Sequence, residues 1–365
     1  MHTPFGTIYT TNLTPDVLTG IGAWSLTAFV RAMREGISRD GHRLYPAFPF
    51  TSFARMSDDD LGALYVHLMV QPAIRAPQRA NDLSFPFNQR PLMALWTGLF
   101  HDTTPYRDDT TQSATWNRGA YLVQGVAHCG ACHTGRNALG AEKTGAHTFG
   151  GAMIDGWEAP ALTALSHAPV SWSENELFLY LRHGHSQHHG SVAGPMAPVV
   201  SGLQQLPEAD VRAMATYLAS FNPPATDHQV RAETALAQAQ AQAGLNLGTA
   251  QRLFEGACGA CHHDGAGDGN GPQVFGLNLP LALYSSLHSE RPDNLVQAVL
   301  EGVREPATPQ IGFMPAFKHS LSDAQSAELV ACMRQRCAPG KPAWPDPGAS
   351  VARLRADSAT TTTTR

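Results

Sequence analysis

Charge is scarce in this chain. Only 15% of its 365 residues are charged, and no basic run gathers anywhere along it. With 25 Lys and Arg against 30 Asp and Glu the net charge is −5, so the phosphate-neutralising patch of a nucleic-acid binder is missing and nucleic acid is not an expected partner. Long apolar runs are missing too. The best stretch, 21–30, is short and interrupted by polar residues, well below the roughly 18 apolar residues of a spanning helix. The opening Met-His-Thr-Pro-Phe-Gly has neither the charged start nor the apolar core of a secretory signal. Phosphate-cradling glycine loops, a nucleophile elbow and Asp/Glu/His pairs at catalytic spacing are also not evident. What remains is 43% apolar, with 33 Gly and 26 Pro. That composition describes a loop-rich globular chain, long enough for two or three domains.

Cysteine is used sparingly but in a pattern. Four of the six fall in two copies of one pentapeptide, Cys129-Gly130-Ala131-Cys132-His133 and Cys258-Gly259-Ala260-Cys261-His262. This is the spacing of c-type haem attachment: two thiols one helical turn apart reach the two vinyl groups of a porphyrin, and the adjacent histidine lies under the iron. A zinc ribbon or a redox disulfide would use similar cysteine pairs, but neither has a use for the histidine in both copies.

A longer repeat surrounds the pentads. Trp24-Ser25 to Gly36 and Trp172-Ser173 to Gly184 both run twelve residues through an apolar helical stretch with Arg34 or Arg182 near its end, and a weaker copy spans Glu290 to Gly302. Twelve residues beyond Gly184 stands Met196, and twelve beyond Gly302 stands Met314, each beside proline. A thioether on such a loop is the usual sixth ligand of a low-spin haem, although a methionine is also common filler for a core gap. The same count in the first copy lands on Phe48, which cannot ligate iron, and that copy has no pentad. A capped amphipathic segment follows each ligand position, beginning at Ser57, Pro207 and Ser322, and a short helix precedes each pentad, over 118–125 and 249–256.

The expected fold is mainly α: tandem class I cytochrome c domains in three repeats, the first incomplete. The expected boundaries are 1–112 for the incomplete unit without a pentad, 113–228 and 229–340 for two haem domains, and 341–365 for a disordered tail. The third domain opens on a solvent-exposed linker helix in which Ala and Gln alternate, 232–244. Some residues keep two readings. His183, His185, His188 and His189 could form a metal site, but no carboxylate or thiol neighbour completes a set in the sequence, so a haem-edge or surface role is preferred. Cys332 and Cys337 could pair in an oxidising compartment if their helix ends between them. Phe85, Phe87, Trp96 and Phe100 face either a partner or membrane surface or a core between units.

With these residues in place the chain resembles the cytochrome c subunit of bacterial membrane-associated dehydrogenases, the three-haem partner of quinoprotein alcohol dehydrogenases and flavin-dependent gluconate or sorbitol dehydrogenases. Similar subunits serve molybdenum-containing aldehyde or nicotinate-type hydroxylases. The carriers include Thr3-Pro4-Phe5-Gly6-Thr7-Ile8, Asn12-Leu13-Thr14-Pro15-Asp16, Phe85-Pro86-Phe87-Asn88-Gln89-Arg90, Ile154-Asp155-Gly156-Trp157 and Gly194-Pro195-Met196. The resemblance implies a periplasmic protein, peripheral at the cytoplasmic membrane, that takes electrons from a dehydrogenase catalytic subunit and passes them to ubiquinone or a terminal oxidase. It implies one haem c on Cys129, Cys132, His133 and Met196, and a second on Cys258, Cys261, His262 and Met314. It also implies a signal peptide and a further pentad upstream of residue 3, so the chain is expected to be N-terminally incomplete, with a third haem in a full-length form. The chain is expected to be an electron-transfer subunit, not itself a catalyst; the alternatives are a dihaem peroxidase and a non-catalytic haem-binding adaptor or sensor.

Overall fold

The computed structural model describes residues 2–3, 5–224, 226–242, 248–262 and 279–362. The fold is mainly helical, and the chain divides into two densely packed units, 1–131 and 132–365, with the division inside the first pentad. In the first unit, short strands β1 (His2–Thr3), β2 (Gly6–Thr7) and β3 (Asp82–Leu83) form an antiparallel sheet in that order. Helices α1 (Leu26–Glu35), α2 (Phe50–Phe53), α3 (Asp58–Met69), α4 (Leu92–Phe100) and α5 (Ala114–Tyr121) make up the rest, with a π-turn over Leu122–Val126. Ser25, Ser57 and Ser113 each accept a backbone N–H three residues on, at 3.1 or 3.2 Å, which fixes where α1, α3 and α5 begin. The core holds Ile21, Phe29, Met33, Met56 and Leu61, with Phe48 packed against it. Arg34 ends α1 by donating to the carbonyls of Ala54 and Met56, so the return from the loop to α3 is tied to the helix that precedes it.

The division falls inside α6 (Gly130–His133), and the second unit continues with the hairpin β4 (Ala152–Ile154) and β5 (Trp157–Ala159), α7 (Glu174–His183), and the hairpin β6 (His185–Ser186) and β7 (Gly190–Ser191). Then come α8 (Met196–Leu203), α9 (Glu208–Ala219), α10 (His228–Gln242), α11 (Gly248–Ala257), α12 (Gly259–His262) and α13 (Ser285–His288). The last three are α14 (Asp293–Glu301), α15 (Asp323–Cys337) and α16 (Pro347–Thr362). Helix α7 repeats the logic of α1: Ser173 caps its start, Gly184 ends it in the left-handed conformation, and Arg182 donates to the carbonyls of Gln204 at 2.9 Å and Leu206 at 2.8 Å. The largest core joins α11, α14, α15 and α16 through Phe254, Leu295, Val299, Leu329, Val330 and Leu354.

Two expectations are corrected and one open reading is decided. In place of a disordered tail from 341, α16 docks into the core, burying Val351 and Leu354 and reaching Lys318, Leu321 and Asp323 through Arg355. The Thr-rich run disguises this, because Val351 and Leu354 fall on one face at helical spacing while the threonines lie beyond them. The linker helix is not solvent-exposed on every side: Ala232, Leu236 and Ala239 form a stripe packed on neighbouring cores. No disulfide joins Cys332 to Cys337, because α15 runs unbroken through both and turns them about 140° apart. Among the four aromatics, Trp96 is buried against Phe50 while Phe85 is 79% exposed, so they divide between core and surface. No helix among the described residues is long and apolar enough to cross a membrane.

Candidate haem centres

The first pentad is approached by α5 and the π-turn, whose Val123 carbonyl accepts the Cys129 N–H at 3.1 Å. In the second unit His133 is 9% exposed, and its Nδ1 lies 2.8 Å from the carbonyl of Pro160. A carbonyl only accepts, so Nδ1 carries the proton and Nε2 presents its lone pair, the form a metal-binding imidazole needs. Burial pushes the His133 pKa down, which keeps the ring neutral. The backbone holds the ring in place: Gly151 N–H donates to the His133 carbonyl at 2.8 Å, and Phe149 N–H to the Thr134 hydroxyl at 3.0 Å. Met196 opens α8 just after Pro195 and lies half-buried against Val192, Ala197 and Val200.

In the third repeat α11 delivers Cys258, and the N–H groups of Cys261 and His262 both bond to its carbonyl, at 3.0 and 2.8 Å. The thiols therefore stand one turn apart. Burial, with Cys261 beside it, pushes the Cys258 thiol up to about 11. Nδ1 of His262 is buried without a hydrogen-bond partner among the described residues. Met314 is placed by backbone pairing, since its N–H and carbonyl both bond Val303, at 3.1 and 2.9 Å, and this brings it beside the end of α14. The tight approach needs Gly302, where a Cβ would sit 2.4 Å from the Met314 carbonyl. In each of the two pentad-bearing repeats a pair of thiols, a histidine whose pKa burial lowers and a half-buried methionine are the residue types that haem c takes. In the first repeat the equivalent position is filled by Phe48, whose ring packs on Phe53 at 5.4 Å.

The histidine cluster has a partner that sequence reasoning missed. Glu176, 7% exposed on α7, lies 2.7 Å from His188 Nδ1 and 3.7 Å from His228 Nδ1, and accepts from His189 Nε2 at 3.2 Å. Burial alone would raise its pKa, but the bond from His189 and the surrounding imidazoles outweigh that and lower it. Burial lowers His189, although Glu176 opposes the shift. No group of three or more such ligands suited to a metal ion occurs among the described residues, and Glu176 gathers His188, His189 and His228, with His183 and His185 outside its ion pairs. The signal for Glu176 was present but ambiguous, because a Ser-x-x-Glu at a helix start reads as a capping box.

Two family models match, "Cytochrome c" over residues 117–222 and "Cytochrome C oxidase, cbb3-type, subunit III" over 246–333. The chain is 36% identical over 355 residues to the fructose dehydrogenase cytochrome subunit of Gluconobacter japonicus, covering 90% of this chain and 71% of that protein. The chain belongs to the family of cytochrome c subunits of dehydrogenases. Membership makes haem c its cofactor and electron transfer its class of function. Alcohol dehydrogenase (quinone), cytochrome c subunit, of Gluconobacter oxydans is 35% identical, with 92% of this chain and 72% of that protein covered. A nicotinate dehydrogenase subunit of Pseudomonas putida is 52% identical over 98% of this chain, which spans only 29% of that protein's length.

Proposed function

We propose that this cytochrome c subunit holds one haem through Cys129, Cys132, His133 and Met196 and a second through Cys258, Cys261, His262 and Met314. When bound, haem supplies a one-electron ferric/ferrous couple whose potential rises with Met/His ligation. The chain's own part is to fix the ligands: Pro160 sets the His133 tautomer, and the Val303 backbone sets Met314. The proton held on Nδ1 by the Pro160 carbonyl is the observation that carries the reading, because it leaves Nε2 as the only lone pair of a buried, neutral ring. In this reading electrons enter from a periplasmic dehydrogenase catalytic subunit and leave to ubiquinone or a terminal oxidase, with the chain peripheral at the cytoplasmic membrane. The 52% identity with the nicotinate dehydrogenase of Pseudomonas putida favours nicotinate or a related heteroaromatic acid as the partner's substrate over a sugar acid or alcohol.

The test is a pyridine haemochrome assay with intact mass on chain exported behind a signal peptide. Two haems are expected, falling to one in Cys132→Ala and in Cys261→Ala; an unchanged count in either variant would refute that site. Mixing the loaded chain with candidate catalytic subunits and following haem reduction by nicotinate, fructose, gluconate or ethanol decides the partner class.

A further inference from the structure

Met314 closes a loop that has no helix or strand over 304–313. The base of the loop is tied by the two backbone bonds between Met314 and Val303. Its tip is held from elsewhere. The Ala307 carbonyl accepts from Gln204 Nε2 at 2.9 Å and from Ser201 Oγ at 3.3 Å. Thr308, only 4% exposed, donates through Oγ1 to the His183 carbonyl at 3.0 Å. Ile311 lies over Gly184, where a Cβ would stand 2.8 Å from its Cδ1. Three residues of the loop are therefore fastened to the end of α7 and to α8, which belong to the repeat of Met196.

Helix α8 thus serves both methionines. Met196 opens it, while Ser201 lies in its last turn and Gln204 caps its end. That end is itself fixed, because Arg182 donates to the Gln204 carbonyl at 2.9 Å. Met196 and Val303 also pack on one cluster, formed by Val192, Ala197, Val200, Ala307 and Ile311. A close-packed cluster transmits displacement, so a loop that loses its hold at Ala307 shifts at its base as well.

Resting on the ligands assigned above, we propose that Gln204 is a positioning residue for Met314: by holding Ala307 from the repeat of the first haem, it keeps the thioether in place for the iron of the second. A glutamine suits this role because its amide donates without carrying a charge, so it acts through position rather than through a field at the iron. Methionine ligation raises the potential of a haem. A loop free to withdraw Met314 therefore lowers the potential of the second haem, and the repeat that carries the first haem sets part of that potential.

The test is a spectroelectrochemical titration of the two-haem protein at fixed pH, with the second haem identified as the one whose potential falls in Met314→His. Gln204→Leu keeps the bulk of the side chain and removes the donor; combined with Ser201→Ala it strips the Ala307 carbonyl of both. The double variant is expected to keep its haem count and to lower the reduction equilibrium of the second haem by at least about fivefold, ~41 mV for one electron, with a weaker far-red sulfur-to-iron absorption and a smaller shift at the first haem. Gln204→Leu alone moves the same potential in the same direction by less. Leu354→Ala, which destabilises the same unit without touching the loop, leaves both potentials in place well below its melting temperature. An unmoved second potential with a full haem count overturns this proposal alone. So does a shift as large or larger at the haem of Met196, or an equal shift in Leu354→Ala. A Met314→His chain in which no potential falls overturns the ligand assignment as well.

Discussion

Truncating Leu354 to Ala is the sharpest test of how the second unit is held together. Leu354 is 1% exposed in the core shared by α11, α14, α15 and α16, and its Cδ2 stands beside Gly156 in the β4–β5 turn. The side chain therefore joins α16 both to the third repeat and to the hairpin that follows the first pentad. A buried Leu→Ala change costs about 2–5 kcal/mol, the lower end when neighbours collapse into the space. Here the neighbours sit on several different elements, including a Gly156 with no side chain to advance, so collapse is restricted and about 3 kcal/mol is expected. For a unit of this size that lowers the melting temperature by about 6–12 °C. The assay is thermal and urea unfolding of the haem-loaded chain followed by far-ultraviolet circular dichroism, with Val230→Ala as comparison. Val230 is 64% exposed on α10, and its loss is expected to change stability by no more than about 0.5 kcal/mol. Equal effects of the two substitutions would mean that α16 is not docked, and the account of the core it shares with α11, α14 and α15 would fall.

Other outcomes follow from the same geometry. Gly302→Ala would place a Cβ against the Met314 carbonyl, at a backbone conformation of φ 68° and ψ −168° that favours glycine; the weak far-red sulfur-to-iron absorption should disappear from one haem, with about 1–3 kcal/mol of stability lost. Arg182→Met leaves the Gln204 and Leu206 carbonyls without a charged donor and is expected to cost about 2–4 kcal/mol in urea unfolding, whereas Arg231→Met, an exposed pair with Asp227, should cost almost nothing. His288, 7% exposed, is held down to about 4, chiefly by burial. Its folded pKa lies below its unfolded value of 6.5, so the unfolded chain binds more protons between the two. Stability is therefore full above pH 6.5 and falls as pH drops toward 4, by about 3 kcal/mol at most. His288→Gln should remove that portion of the slope in unfolding measured across the window.

What was legible in the sequence is what depends on local spacing. Two thiols and a histidine within five residues need no tertiary information, and neither do Ser25, Ser57, Ser173 and Ser322 at the starts of their helices. The twelve-residue step to each methionine also had local meaning, but it was reached by two routes. After Gly36 and Gly184 the chain returns eight residues on, where Leu44 and Val192 donate to the glycine carbonyls, whereas in the third repeat Met314 itself pairs with Val303. Equal counts along the sequence thus concealed different backbone paths.

The illegible part lies in partners that no periodicity announces. Pro160 stands 27 residues from His133 and contributes only a carbonyl, a group every residue has, so nothing in its identity marked it as the atom that sets the imidazole tautomer. Glu176 was hidden differently. At the third position of α7 its backbone N–H is bonded to Ser173, which already accounts for a glutamate there, so its carboxylate looked fully explained while three histidines from two other segments converged on it. A residue with one sufficient local role attracts no second explanation. Burial is the observation that demands one, because a carboxylate only 7% exposed stays ionised through the imidazoles around it, and these come together only when the hairpin and α10 fold onto α7.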